Sequence, residues 1–67
     1  MKITIAKDHA VHIVRDQARI CQMKHDVLKA GGLPKGWRPS EFATLLAQHL
    51  EEAEAFRMAA DALEKVR

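Results

Sequence analysis

All three glycines and both prolines of this chain fall within nine residues, Gly31-Gly32-Leu33-Pro34-Lys35-Gly36-Trp37-Arg38-Pro39, and neither flank carries a helix breaker. Glycine frees the backbone and proline removes a donor, so this run ends one helix and starts another. The spacing predicts an all-α fold: an antiparallel two-helix hairpin with helices over residues 6–30 and 39–66 and a linker over 31–38. The 67 residues fit one small domain, close to the lower size at which a core supports itself.

From residue 6 to 30, apolar or small side chains fall at Ala10, Ile13, Val14, Ile20, Cys21, Val27 and Leu28, interrupted by Gln17 and Lys24. Steps of three and four put such residues on one helix face. Thr4 or Asp8 is the expected N-cap, Met1 to Ile5 the lead-in or a short strand, and Gly31 the left-handed residue that closes the helix. The second stripe reads Phe42, Leu45, Leu46, His49, Ala53, Phe56, Ala60 and Leu63. Its start is marked by Arg38-Pro39-Ser40-Glu41, with proline in the first turn and a carboxylate near the free amides. Arg57–Asp61, Asp61–Lys65 and Glu54–Arg57 are spaced as ion pairs on its outer face.

Hydrophobic residues make up 48% of the chain, but much of that is alanine, and the aromatics are Trp37, Phe42 and Phe56 alone. Alanine allows close helix approach and buries little area. Two helices alone therefore leave part of each stripe wet, and homo-oligomerisation into a helical bundle is the expected remedy. Ile13, Ile20, Phe42, Leu46, His49, Phe56 and Leu63 are the expected oligomer core, joined by Val27 and Leu28, with His49 hydrogen-bonded to Gln17 or to its symmetry mate. Trp37 is expected to cap the open end of the hairpin, with a partner-binding anchor as the other reading.

Charge is divided unevenly. Residues 1–30 carry six basic and three acidic side chains, the linker adds Lys35 and Arg38, and residues 39–67 carry three basic and six acidic, for a net charge of +2. A basic helix beside an acidic one suits an antiparallel pair. It disfavours duplex DNA, which the acidic half would repel and for which no recognition helix is evident. The single Cys21 rules out an intrachain disulfide, the first residues lack the apolar run of a signal peptide, and no stretch is long enough for a membrane span; the expected location is cytoplasmic and the expected partners include no membrane.

Catalytic chemistry finds little support. Gly31-Gly32 and Gly36 lack the spacing of a phosphate loop, and a hairpin has little surface on which to build an oxyanion hole beside Cys21. His9, His12 and Asp16, or Cys21, His25 and His49, have the residue types of a zinc site. Local pairing with Asp8 or Asp16 explains the first set, and packing of a small hydrophobe beside core histidines explains the second. No cofactor, metal or catalytic residue is expected. Arg15, Arg19 and Arg38, with Trp37, are the candidate binding residues.

One stretch resembles a known group. Pro39-Ser40-Glu41, followed by His49-Leu50-Glu51-Glu52-Ala53 and Ala59-Ala60-Asp61-Ala62-Leu63, is similar to the C-terminal helix of small phage-encoded anti-defence proteins, helical oligomers that sequester cyclic oligonucleotide signals. The likeness spans residues 39–63. Glu54-Ala55-Phe56 replaces the aromatic expected after the acidic run, the N-terminal half has no match, and no binding residue carries over. The resulting expectation is a small non-enzymatic adaptor or inhibitor, phage- or prophage-encoded, that acts on another macromolecule through a helical surface. The alternative is an oligomeric sponge for a cyclic oligonucleotide or other phosphate-rich ligand.

Overall fold

The computed structural model describes residues 6–66, so the reading of Met1–Ile5 as a strand, and of Thr4 as a cap, lies outside the described residues. Two helices, α1 (Lys7–Gly31) and α2 (Pro39–Glu64), pack against each other as a hairpin. The particle measures 49 × 23 × 19 Å, a rod one helix pair wide.

Helix α1 begins without a side-chain cap: Ala6 holds the N-cap position in extended geometry, and Asp8 lies in the first turn. Asp8 therefore acts on the helix dipole rather than as the cap. At the other end the helix runs one residue further than its glycine pattern suggested. Gly31 stays helical, and Gly32, at φ 77°, makes the turn. The Gly32 N–H donates to the carbonyls of Leu28 (3.1 Å) and Lys29 (3.3 Å), which closes the last turn as a left-handed glycine does.

Helix α2 starts at Pro39, where the missing proline N–H costs nothing because first-turn amides have no intrahelical acceptor. Its first helical bond runs from the Phe42 N–H to the Arg38 carbonyl at 3.1 Å. No basic side chain lies in its last turn. Lys7 of α1 supplies one instead, donating from Nζ to the carbonyls of Val66 (3.1 Å) and Glu64 (3.5 Å). The cation sits where the helix dipole is negative and where carbonyls lack partners. Arg15 adds ion pairs to Glu64 and, at 3.8 Å, to Asp61. These exposed pairs are each worth only about 0.2–1 kcal/mol, enough to orient the helices but not to hold them.

The interface between the helices is thin. Val11, Ala18, Cys21 and His25 of α1 are buried against Phe42, Ala53 and Ala60 of α2. With half-buried Val14 and Leu28, the α1 face reads 11, 14, 18, 21, 25, 28, an unbroken 3-4 repeat. Ala53 and Ala60 are wholly buried, which marks the places where the two backbones come closest. The expected α2 stripe holds, with Leu45, Leu46, His49, Phe56 and Leu63 half-buried around Phe42.

The expected α1 stripe does not face α2 in full. Ile13 and Val27 are 43% and 65% exposed, and Ile20 is half-buried. The apolar residues of α1 form two stripes rather than one. The inner stripe faces α2, and the outer one, Ile13–Ile20–Val27 with Met23, lies about 140° around the helix at 3.6 residues per turn. No large side chain among the described residues is fully buried. The chain exposes 5508 Å², whereas a compact monomer of this mass would expose about 4,200 Å².

Trp37, expected to cap the open end of the core, is 42% exposed. Its backbone N–H donates to the Pro34 carbonyl at 3.2 Å, in a turn completed by Gly36 at φ 89°.

Candidate functional site

An open groove of about 850 Å³ runs along one side of the hairpin. Helix α1 contributes Arg15, Ala18, Arg19, Gln22, Met23 and Asp26 to it, and α2 contributes Arg57 and Asp61. The structure thus brings together two of the candidate binding residues, Arg15 and Arg19, one turn apart on α1. It does not bring Trp37 or Arg38 to them. Those two sit on the connection, where the Arg38 Nε lies 3.9 Å from the Glu41 carboxylate.

Arg57 joins the groove from the acidic helix, and nothing in the charge pattern announced it. Its Nη2 donates to the Gln22 Oε1 across the helix interface at 2.9 Å, while Nη1 reaches Glu54 at 3.4 Å. Gln22 passes the connection on, its Nε2 donating to the Asp26 Oδ1 at 3.1 Å. The same oxygen accepts from the His25 Nδ1 at 2.9 Å, which requires the ring proton to sit on Nδ1. Two donors to one carboxylate favour its charged form. The Asp26 carboxyl is held below its ordinary value of 3.8, first by the His25 hydrogen bond and then by Gln22.

The electrostatic result is a groove whose cations are already answered. Arg15 pairs with Glu64 and Asp61, Arg19 with Asp16, and Arg57 with Glu54. A phosphate entering it has to displace these carboxylates.

A second depression of about 370 Å³ shares Met23 and Val27 with the groove and is lined also by Lys24, Leu28 and His49. The His49 Nδ1 is buried there without a hydrogen-bond partner among the described residues. Gln17, the expected partner, is exposed, because it falls outside the inner α1 face.

Among the described residues no group of three or more His, Cys, Asp or Glu side chains is placed to hold a metal ion. His25 turns to Asp26, and the Cys21 thiol points at the Glu52 carboxylate with 3.8 Å from Sγ to Oε2. The sequence showed His25 as a ligand candidate but not as the buried histidine of the hairpin. The signal was present in the 3-4 repeat through Val11, Ala18 and Cys21, on which residue 25 falls in step.

No family model matches this chain, and no curated protein or solved structure matches it. No helix among the described residues is long and apolar enough to cross a membrane.

Proposed function

We propose that this chain is a small non-enzymatic binding protein that works as an assembly of its own copies and acts on another macromolecule through a helical surface. The observation that carries the reading is the amount of apolar side chain left outside the hairpin. Ile13, Met23 and Val27 of α1, Leu50 and Met58 of α2, and Leu33 and Trp37 of the connection are all exposed. Exposed apolar side chains gathered on one helix face mark interaction sites in soluble proteins. An adaptor or inhibitor role, and a cytoplasmic setting of the kind used by phage accessory proteins, fit such a surface and the resemblance of residues 39–63.

The groove favours a second reading. Arg15 and Arg19 line one cleft, as a sponge for a cyclic oligonucleotide would need. The acidic partners of each arginine weigh against it, since ligand phosphates must compete with them.

Native mass spectrometry on protein purified from a cell extract separates the two. A multiple of the 7.5 kDa chain with no added small-molecule mass is the expected result. An added mass in the nucleotide range, lost when Arg15 and Arg19 become Glu, would replace the first reading with the second.

A further inference from the structure

The outer stripe of α1 has the spacing of a helix–helix seam. Ile13, Ile20 and Val27 are seven residues apart, and Asp16, Met23 and Ala30 follow each by three. These are the a and d positions of a heptad pattern. Ile13, Met23 and Val27 are exposed, and the inner stripe already satisfies α2. A helix that faces its partner needs one stripe, and α1 has two. We propose that the outer stripe is a two-fold seam on which α1 of a second copy of this chain packs antiparallel. The proposal rests on the binding-protein reading for its premise that an unburied helix face is a working surface.

Three observations select this occupant and this direction. The first is charge. Beside the seam, on the groove side, lie Arg19 and Asp26, and on the other side lie Gln17 and Lys24. An antiparallel pairing that sets Ile20 against Met23 of the second copy brings Arg19 beside Asp26 of that copy, and by symmetry does so twice. Lys24 then meets neutral Gln17. A parallel pairing would instead set Arg19 beside Lys24 of the other copy, also twice, with like charges together. The stripe is therefore complementary to itself in one direction only.

The second observation is that these two charges stand at the surface, where the Arg19 guanidinium, already paired with Asp16, keeps further donors for a second carboxylate. Arg19 and Asp26 have side chains 69% and 62% exposed. The Asp26 carboxylate is oriented by two donors, His25 and Gln22. Arg19 also neutralises Asp16, the one charged residue among the six seam positions, so the seam does not bury a bare carboxylate.

The third is area. A standard interface takes about 800 Å² from each partner, and the flank of a 49 Å rod that exposes 5508 Å² is long enough to supply it. The seam residues Met23 and Val27 also form the lips of both depressions. A second α1 laid along them narrows the groove and shields the side on which the His49 Nδ1 is unpartnered.

Sedimentation equilibrium over a range of protein and salt concentrations tests this, with helix content followed by circular dichroism. The wild type should dimerise. Val27→Asp should raise the dimer dissociation constant by at least a hundredfold with helix content unchanged, since that side chain is mostly in water in the single hairpin. Arg19→Glu should raise it about tenfold, and Arg19→Glu with Asp26→Arg should bring it back to within about threefold of wild type. A chain that stays monomeric at millimolar concentration, or a dimer indifferent to Val27→Asp, overturns the proposal. So does a tighter dimer in Arg19→Glu, the signature of the parallel pairing. A monomer that retains a foreign macromolecule overturns the second copy as occupant and leaves the binding-protein reading standing. A dimer that carries a nucleotide does the reverse.

Discussion

The two apolar faces of α1 differ in a way that runs against the usual expectation for a core. The buried positions of the face that meets α2 are Val11, Ala18, Cys21 and His25, side chains that are small or polar, with Leu28 the one larger apolar side chain half-buried beside them. The face turned away carries Ile13, Ile20, Met23 and Val27, which are larger and more apolar. In a finished monomer the larger apolar side chains go inside, because burial is worth about 25 cal/mol per Å² of apolar area. Small inner residues let α1 and α2 come close, and the larger apolar side chains of α1 are left outside the pair.

Substitutions that break the inner contact should have the largest effects. Phe42→Ala removes the one buried aromatic of the hairpin and should cost about 3 kcal/mol. In a domain this small that lowers Tm by well over ten degrees, or unfolds it, and thermal denaturation reads it directly. Next comes Ala53→Leu, which inserts bulk where α2 is wholly buried and should cost about 1–3 kcal/mol. On the outer face, Ile13→Ser should change the stability of the single hairpin by less than about 0.5 kcal/mol. A cost for Ile13→Ser as large as that of Ala53→Leu, measured at a dilution where the chain is monomeric, would erase the distinction between the faces.

The two glycines at the end of α1 give a smaller, sharper contrast. Gly31 is helical, and a methyl group there meets nothing within 4 Å; Gly31→Ala should stabilise by about 0.5–1 kcal/mol. Gly32 has positive φ, so Gly32→Ala should destabilise by about 1 kcal/mol. Urea midpoints of the two variants should move in opposite directions.

The smallest effect concerns Asp26. Its carboxyl titrates below 3.8 in the folded chain, so the unfolded state binds the proton more readily. The stabilisation is complete above the ordinary carboxyl value and is lost as the pH falls through the lower folded value. Asp26→Asn should lower the neutral plateau slightly and flatten the acid limb, the two curves converging as the pH falls below the ordinary carboxyl value. An unchanged acid limb would show that His25 and Gln22 do not hold the carboxylate.

The hairpin itself could be read from the sequence because its punctuation is unambiguous: every glycine and proline sits in one run. The α2 stripe was legible for a similar reason, since Phe42, His49, Ala53, Phe56, Ala60 and Leu63 form a single 3-4 series. The α1 stripe was not. Periodicity adds the two faces together, so Ile13 and Val27 were grouped with Val14, Cys21 and Leu28. The repeat through Val11, Ala18, Cys21 and His25 is in the sequence, but the position of α2 is what decides between it and the Ile13–Ile20–Val27 series. The groove was half legible. Arg15 and Arg19 stand out as cations on one side of a helix, but Arg57 enters through Gln22, and a bond between residues 35 apart leaves no trace in local spacing. The exposure of Trp37 was not legible, because its size suggested shelter, while the turn from Pro34 to Trp37 closes through a backbone bond.

The Lys7 clasp on the last carbonyls of α2 has a mechanical consequence. It places residues 7 and 66 side by side at one tip of a 49 Å rod. Tension applied through those residues opens the helix pair like a zipper, one turn at a time, and loads Lys7 and Arg15 before the next rung. Resistance then depends on a single rung at any instant. The same rod held by residue 7 and by Trp37 at the far end would be loaded along its full length, and would yield only at a much higher force.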